Sequence, residues 1–273
     1  MLNLTDLDRW SQLNSPFGNS EDVPTLINQL ENTYSEEVLD EICWEYIYHQ
    51  GSLYQVTFAA LPYLIDICEK SANLNFKLKA FSNIGVIIAE LDSEDILLTQ
   101  TFEKSTLDKS IVSDIIETFK QSFQKLENIG LSLFKFILEQ DEIEKRYFLI
   151  TLAALNKKFK VAKVFLTFIY NDEYICVCPK CNNDLYLSNE DDTLVMYIDD
   201  PVFNTNQEKF LIQPRSSTQI IDEKNKLAND FEFLTFYINK LKINSLEHIV
   251  NYLFSETKCP ICETEFQIFE AIL

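Results

Sequence analysis

The chain has 273 residues, 47% of them hydrophobic, which is enough apolar material for one large core or two smaller ones. Four glycines and seven prolines leave little for tight hairpins or glycine-rich phosphate loops, so helices are favoured over a β-sandwich. A formal charge of −20, from 43 acidic against 23 basic residues, disfavours nucleic-acid phosphates and anionic lipid and suits a basic partner.

The amino-terminal MLNLTDLDRW lacks the basic start and apolar run of a secretory signal, and no apolar stretch approaches about 18 residues. The expectation is a cytoplasmic protein with no membrane partner, whose paired cysteines are metal ligands or core thiols rather than disulfides. Glu21, Asp22, Glu31, Glu36, Glu37, Asp40, Glu41 and Glu45 then follow with no Lys or Arg among them. They are the candidate partner-binding residues: a concave acidic face would steer a basic protein toward it and reject nucleic acid. The alternative is an ordinary solvated surface.

Ser35, with Glu36 and Glu37 behind it, reads as an N-cap with an acidic first turn. Val38, Ile42 and Tyr46 with Leu39, Cys43 and Ile47 form an apolar helical stripe that Gly51 ends. His49 beside it is expected to cap helix carbonyls. A second helix runs through Leu53, Val56, Ala60, Leu64 and Ile67, with Pro62 removing one donor inside it. Further stripes lie at Leu78, Phe81, Ile84, Ile88 and Leu91, and at Val112, Ile115, Phe119, Phe123 and Leu126, continuing past Gly130 to Leu138. Ile143 to Leu155 and Val161 to Tyr170 complete the helical part. Antiparallel helix pairs of about 30 to 40 residues are the size of α-solenoid repeats, with a compact bundle as the alternative. The division expected is a helical repeat region over 1–170 and a second region over 171–273.

After Asn171 the texture changes. Tyr174 to Val177, Asp184 to Leu187 and Leu194 to Ile198 read as short strands, Asn204 to Ser217 as loop, and helix returns around Phe231 to Leu253. Two knuckles, Cys178-Pro-Lys-Cys181 and Cys259-Pro-Ile-Cys262, offer four thiolates to one tetrahedral ion, and each leads into a strand as in a zinc ribbon. The cofactor expected is one structural Zn²⁺ per chain, with rubredoxin-like iron as the alternative. The 77 residues between the knuckles are then an insertion.

A four-thiolate site has no open coordination position for catalysis. Cys176 is read as a neighbouring thiol or a replacement ligand, and Cys43 and Cys68 as core. Lys180 and Lys258 stand among Asp172, Glu173, Asp184, Glu256, Glu263 and Glu265, a balance that points away from a nucleic-acid ribbon. Acidic pairs such as Asp191 and Asp192 read as solvated faces. Two histidines and no P-loop, dinucleotide fingerprint or nucleophile elbow leave catalysis poorly supplied, so no enzyme is expected and no catalytic residue is assigned.

The segment CWEYIYHQGSLYQVTFAALPYLIDI, Cys43 to Ile67, resembles a family of bacterial HEAT-like repeat proteins. The resemblance rests on Trp44, His49-Gln50-Gly51, Tyr54 and Ala60-Leu61-Pro62, and on FLITLAALNKKFKVAKVF from Phe148 to Phe165 followed by a Cys-x-x-Cys knuckle. It implies an α-solenoid, with some members placed among immunity proteins of bacterial toxin systems. Asn182 and Glu263 stand where glycine usually follows the second knuckle cysteine. Asn tolerates a left-handed backbone, and Glu costs more.

The expectation is thus a mainly α chain: a HEAT-like α-solenoid of antiparallel helix pairs with a zinc-ribbon-like β module near the carboxyl terminus. Its expected role is that of a non-enzymatic immunity protein occluding a basic cognate toxin. A general scaffold for an endogenous protein and a nucleic-acid-binding ribbon are the alternatives.

Overall fold

A computed structural model describes residues 1–18, 20–91, 100–170, 173–191, 193–221 and 225–273. Asp172 and Asp192, noted above, lie outside them. The chain is mainly helical with small antiparallel sheets, and it divides into two compact units, Met1–Lys163 and Val164–Leu273. No described helix is long and apolar enough to cross a membrane.

The first unit opens with α1 (Leu7–Trp10), α2 (Val23–Thr33) and α3 (Glu36–Glu41). The Ser35 hydroxyl caps α3 by accepting from the Val38 amide at 3.3 Å. The helix then widens into a π-helical turn, Ile42–Ile47, that keeps Ile42, Cys43 and Ile47 buried. It stops there, short of Gly51. Residues Tyr48–His49 (β1) and Ser52–Leu53 (β2) form a hairpin whose two central residues, Gln50 and Gly51, both have positive φ, 47° and 76°. His49 is therefore a hairpin residue, its ring edge-on to Phe17 at 5.1 Å between centroids, and the capping expectation is corrected. The helix ends at Ile47 and Tyr48 is already extended, φ −145° and ψ 135°, so His49 stands on a strand beyond the last turn.

Four longer helices follow: α4 (Gln55–Lys70), α5 (Leu74–Ile88), α6 (Lys109–Ile137) and α7 (Glu142–Leu155). Thr57 fixes the start of α4, accepting from the Tyr54 amide at 2.9 Å and donating to the Ile47 carbonyl. Pro62 lies buried within α4. α4 packs on α5 and α6, and α5 packs on α7, so the α4–α5 pair lies against the α6–α7 pair. Phe58 of α4 meets Phe119 of α6 at 5.0 Å, and Phe81 of α5 meets Phe148 of α7 at 4.9 Å. All four rings are fully buried. Each such burial is worth about 2 kcal/mol, whereas an exposed ion pair is worth about 0.5 kcal/mol, so the aromatic contacts hold this unit together.

The division between the units falls inside α8 (Phe159–Thr167). In the second unit β3 (Glu173–Val177), β4 (Asp184–Glu190), β5 (Thr193–Tyr197) and β6 (Phe210–Leu211) form an antiparallel sheet in that order. Then come α9 (Ser217–Ile221), α10 (Lys226–Leu241) and α11 (Asn244–Leu253), followed by the hairpin β7 (Glu256–Lys258) and β8 (Glu265–Gln267). The alternation after Cys262 suggests a strand to the end of the chain. Instead β8 gives way to a short helix, α12 (Ile268–Ala271), because Phe269 turns inward to stack on Phe254 at 4.4 Å. Residues Ile272 and Leu273 return to β3: Ile272 bridges Cys176, and the Leu273 amide donates to the Ile175 carbonyl at 3.1 Å.

Candidate functional site

Both knuckles occupy hairpin tips in the second unit, and their backbones are alike. Pairing of Val177 with Asp184 leaves Cys178–Asn183 as one tip, and pairing of Lys258 with Glu265 leaves Cys259–Thr264 as the other. In the first, the Cys178 amide donates to the Asn183 carbonyl at 3.0 Å and the Asn182 amide to the Cys178 carbonyl at 3.0 Å. In the second, Cys259 and Thr264 make the first bond at 2.9 Å, and Glu263 and Cys259 the second at 2.9 Å. Closing such a tip requires a left-handed residue after the second cysteine. Asn182 has φ 55° and Glu263 φ 58°.

The four sulfurs of Cys178, Cys181, Cys259 and Cys262 all lie within 4.8 Å of one another. Cys178 Sγ is 3.6 Å from Cys262 Sγ, and Cys181 Sγ is 3.7 Å from Cys259 Sγ. A tetrahedron with metal–sulfur bonds of about 2.3 Å has edges of about 3.8 Å, so these cross-knuckle spacings fit a bound metal ion. The donor set is soft and complete. Cys178 and Cys259 are buried, while Cys181 and Cys262 are half-buried.

The surroundings tune the thiols unequally. Thr264 Oγ1 stands 3.4 Å from Cys262 Sγ, and its hydroxyl and amide hold the Cys262 thiol down at about 6. Asn183, by backbone and side chain, likewise lowers Cys181. Burial pushes Cys259 up to about 12, although the Cys262 and Ile261 amides point at its sulfur. Thr264 and Asn183 were not singled out in the sequence. Each lies two residues after the second knuckle cysteine, where the amide turns back toward the metal position, and that offset is the signal that could have found them.

Cys176 is fully buried on β3, outside the four-sulfur cluster, and burial raises its thiol to about 12. Cys43 and Cys68 are also buried, with their thiols raised by burial, and belong to the core of the first unit.

In the first unit the fold brings lysines to part of the acidic run. Lys70 of α4 pairs with Glu31 at 2.7 Å, and Lys79 of α5 pairs with Glu36 at 3.2 Å and Asp40 at 2.7 Å. Glu37 accepts from the Ser35 hydroxyl at 2.6 Å, which lowers its carboxyl first. Glu21, Asp22, Glu41 and Glu45 are exposed and make no ion pair among the described residues. Three of them act on Tyr46 by charge: partial burial and then the carboxylates of Asp22, Glu41 and Glu45 push its phenol above the ordinary range. The helical stripe had placed Tyr46 in the core; in the π-helical turn it is only half-buried.

No protein-family model, no curated protein and no solved structure matches this chain.

Proposed function

We propose that the protein is a non-enzymatic binding protein: a HEAT-like helical stack carrying a zinc-stapled ribbon-like module, which neutralises a basic protein toxin by covering its active surface. The observation that carries this reading is the exposed acidic set Asp22, Glu41 and Glu45, which makes no ion pair among the described residues and whose charges all act on the half-buried Tyr46. Such a patch suits Lys or Arg side chains, which gain from both the carboxylates and the ring face.

The stacking of α4–α5 on α6–α7 supports the repeat reading, since each helix pair buries its apolar face on the next. At the second unit the four cysteines would hold zinc. The ion would supply cross-linking rather than chemistry, because four thiolates leave it no position for water or substrate. The net charge supports a basic partner and disfavours nucleic acid.

The test is co-expression with the product of the adjacent gene, followed by affinity measurement across a salt series. A complex that weakens steeply with salt is expected. The double variant Glu41→Lys/Glu45→Lys should bind at least about tenfold more weakly, mainly through slower association, with unchanged melting. Failure to form a complex, or affinity indifferent to salt and to both reversals, contradicts the reading.

A further inference from the structure

The second unit presents its most exposed apolar side chains together, on the loop between β5 and β6. Val202 is 70% exposed and Phe203 88%. An isolated surface apolar residue needs no explanation, but adjacent ones at an ordered tip do.

The loop is held in one conformation by its own polar groups. Asp200 Oδ1 accepts from the Val202 amide at 2.8 Å, and the Phe203 and Asn204 amides donate to the Asp200 carbonyl at 3.1 and 3.0 Å. The Gln207 side chain spans the loop: Oε1 accepts from the Asp199 amide at 2.9 Å, and Nε2 donates to the Asp199 and Asn204 carbonyls at 2.7 and 3.0 Å. Asn204 Nδ2 donates to Asp199 Oδ2 at 3.0 Å. These bonds fix the tip while none of them buries Phe203. A tip already ordered loses little further conformational entropy when a partner covers it.

Charge gives the kind of partner. Among the described residues the carboxylates of Asp199 and Asp200 receive only N–H donors, and Lys209, the one basic residue of the loop, is committed to Glu190. Partial burial and then the charge of Asp200 push the Glu173 carboxyl above its usual range, as expected where one carboxylate acts on another.

We infer that Val202 and Phe203 form an anchor that enters an apolar pocket on a protein partner whose rim carries Lys or Arg. The inference rests on the basic partner proposed above, but it places a contact on the second unit, whereas Asp22, Glu41 and Glu45 belong to the first. A second copy of this chain is disfavoured as occupant because it would bring carboxylates against carboxylates.

The test places photoreactive p-benzoylphenylalanine at position 203 of the full chain, irradiates the native cells, and identifies the adduct. The expected adduct is with a protein of net positive charge, joined within an apolar pocket flanked by Lys or Arg. With that protein purified, Phe203→Ser should lower affinity at least about 30-fold, the scale of an aromatic anchor, with unchanged melting. No protein adduct, an adduct with a second copy or with an acidic protein, or full affinity in Phe203→Ser would overturn the anchor. Glu41→Lys/Glu45→Lys on the same pair separates the two ideas. Loss with Phe203→Ser alone rejects the acidic face and keeps the anchor, and loss with the charge reversals alone does the opposite.

Discussion

Gly85 of α5 and Thr151 of α7 meet at a distance that admits no side chain: a Cβ on Gly85 would lie 1.8 Å from Thr151 Oγ1 and 2.6 Å from its Cβ. Rotating the threonine moves the hydroxyl but leaves its Cβ in place, so the helices themselves would have to separate. Alanine normally gains about 1 kcal/mol over glycine within a helix. Overpacking of this kind costs about 1–3 kcal/mol, and here it should win. Gly85→Ala should therefore lower stability by about 1 kcal/mol net in denaturant titration. A variant as stable as the parent, or more so, would show that α5 and α7 do not approach so closely.

The knuckles give a paired comparison. Asn182 and Glu263 hold equivalent left-handed conformations, but only Asn tolerates that region cheaply. Glu263→Gly should raise the melting temperature of the metal-loaded protein, by the equivalent of about 1 kcal/mol. Asn182→Gly should gain less or nothing, because glycine also loosens the unfolded chain. Equal effects from both changes would be the contrary result.

Metal affinity should depend on pH in a direction set by the thiols. Burial holds the Cys259 proton up to about 12, so the metal must expel that proton at neutral pH, whereas Cys262, held down at about 6, has already lost its own. Log affinity should thus rise by at least about one per pH unit between pH 7 and 8, and metal should be released on acidification. Thr264→Val removes the hydroxyl that favours the Cys262 thiolate and should shift metal release to higher pH. Competition with a chromogenic chelator across pH measures both, and a flat profile would contradict the assignment.

Much of this was legible in local sequence. Cysteine spacing identified both knuckles, alternation located β3 to β5, and apolar stripes located α4 to α7. What escaped was set by distant partners or by unusual backbone. The hairpin at Gln50–Gly51 was hidden because glutamine takes the first left-handed position where asparagine is the usual signal. The helix at Ile268–Ala271 exists through Phe269 stacking on Phe254, which no local pattern encodes. The acidic run from Glu21 to Glu45 reads as uniform, yet Lys70 and Lys79 approach from α4 and α5 to neutralise Glu31, Glu36 and Asp40. That leaves fewer unpaired carboxylates, acting on Tyr46, which is half-buried in a π-helical turn that the 3.6-residue period does not anticipate.

The most direct measurement is elemental analysis of natively purified protein alongside Cys178→Ser and Cys259→Ser. The sulfur spacings predict about one metal ion per parent chain, zinc on the function proposed above, with loss of metal and a lower melting transition of the second unit in both variants. A metal-free parent, or variants that keep both metal and melting, would contradict the four-thiolate staple.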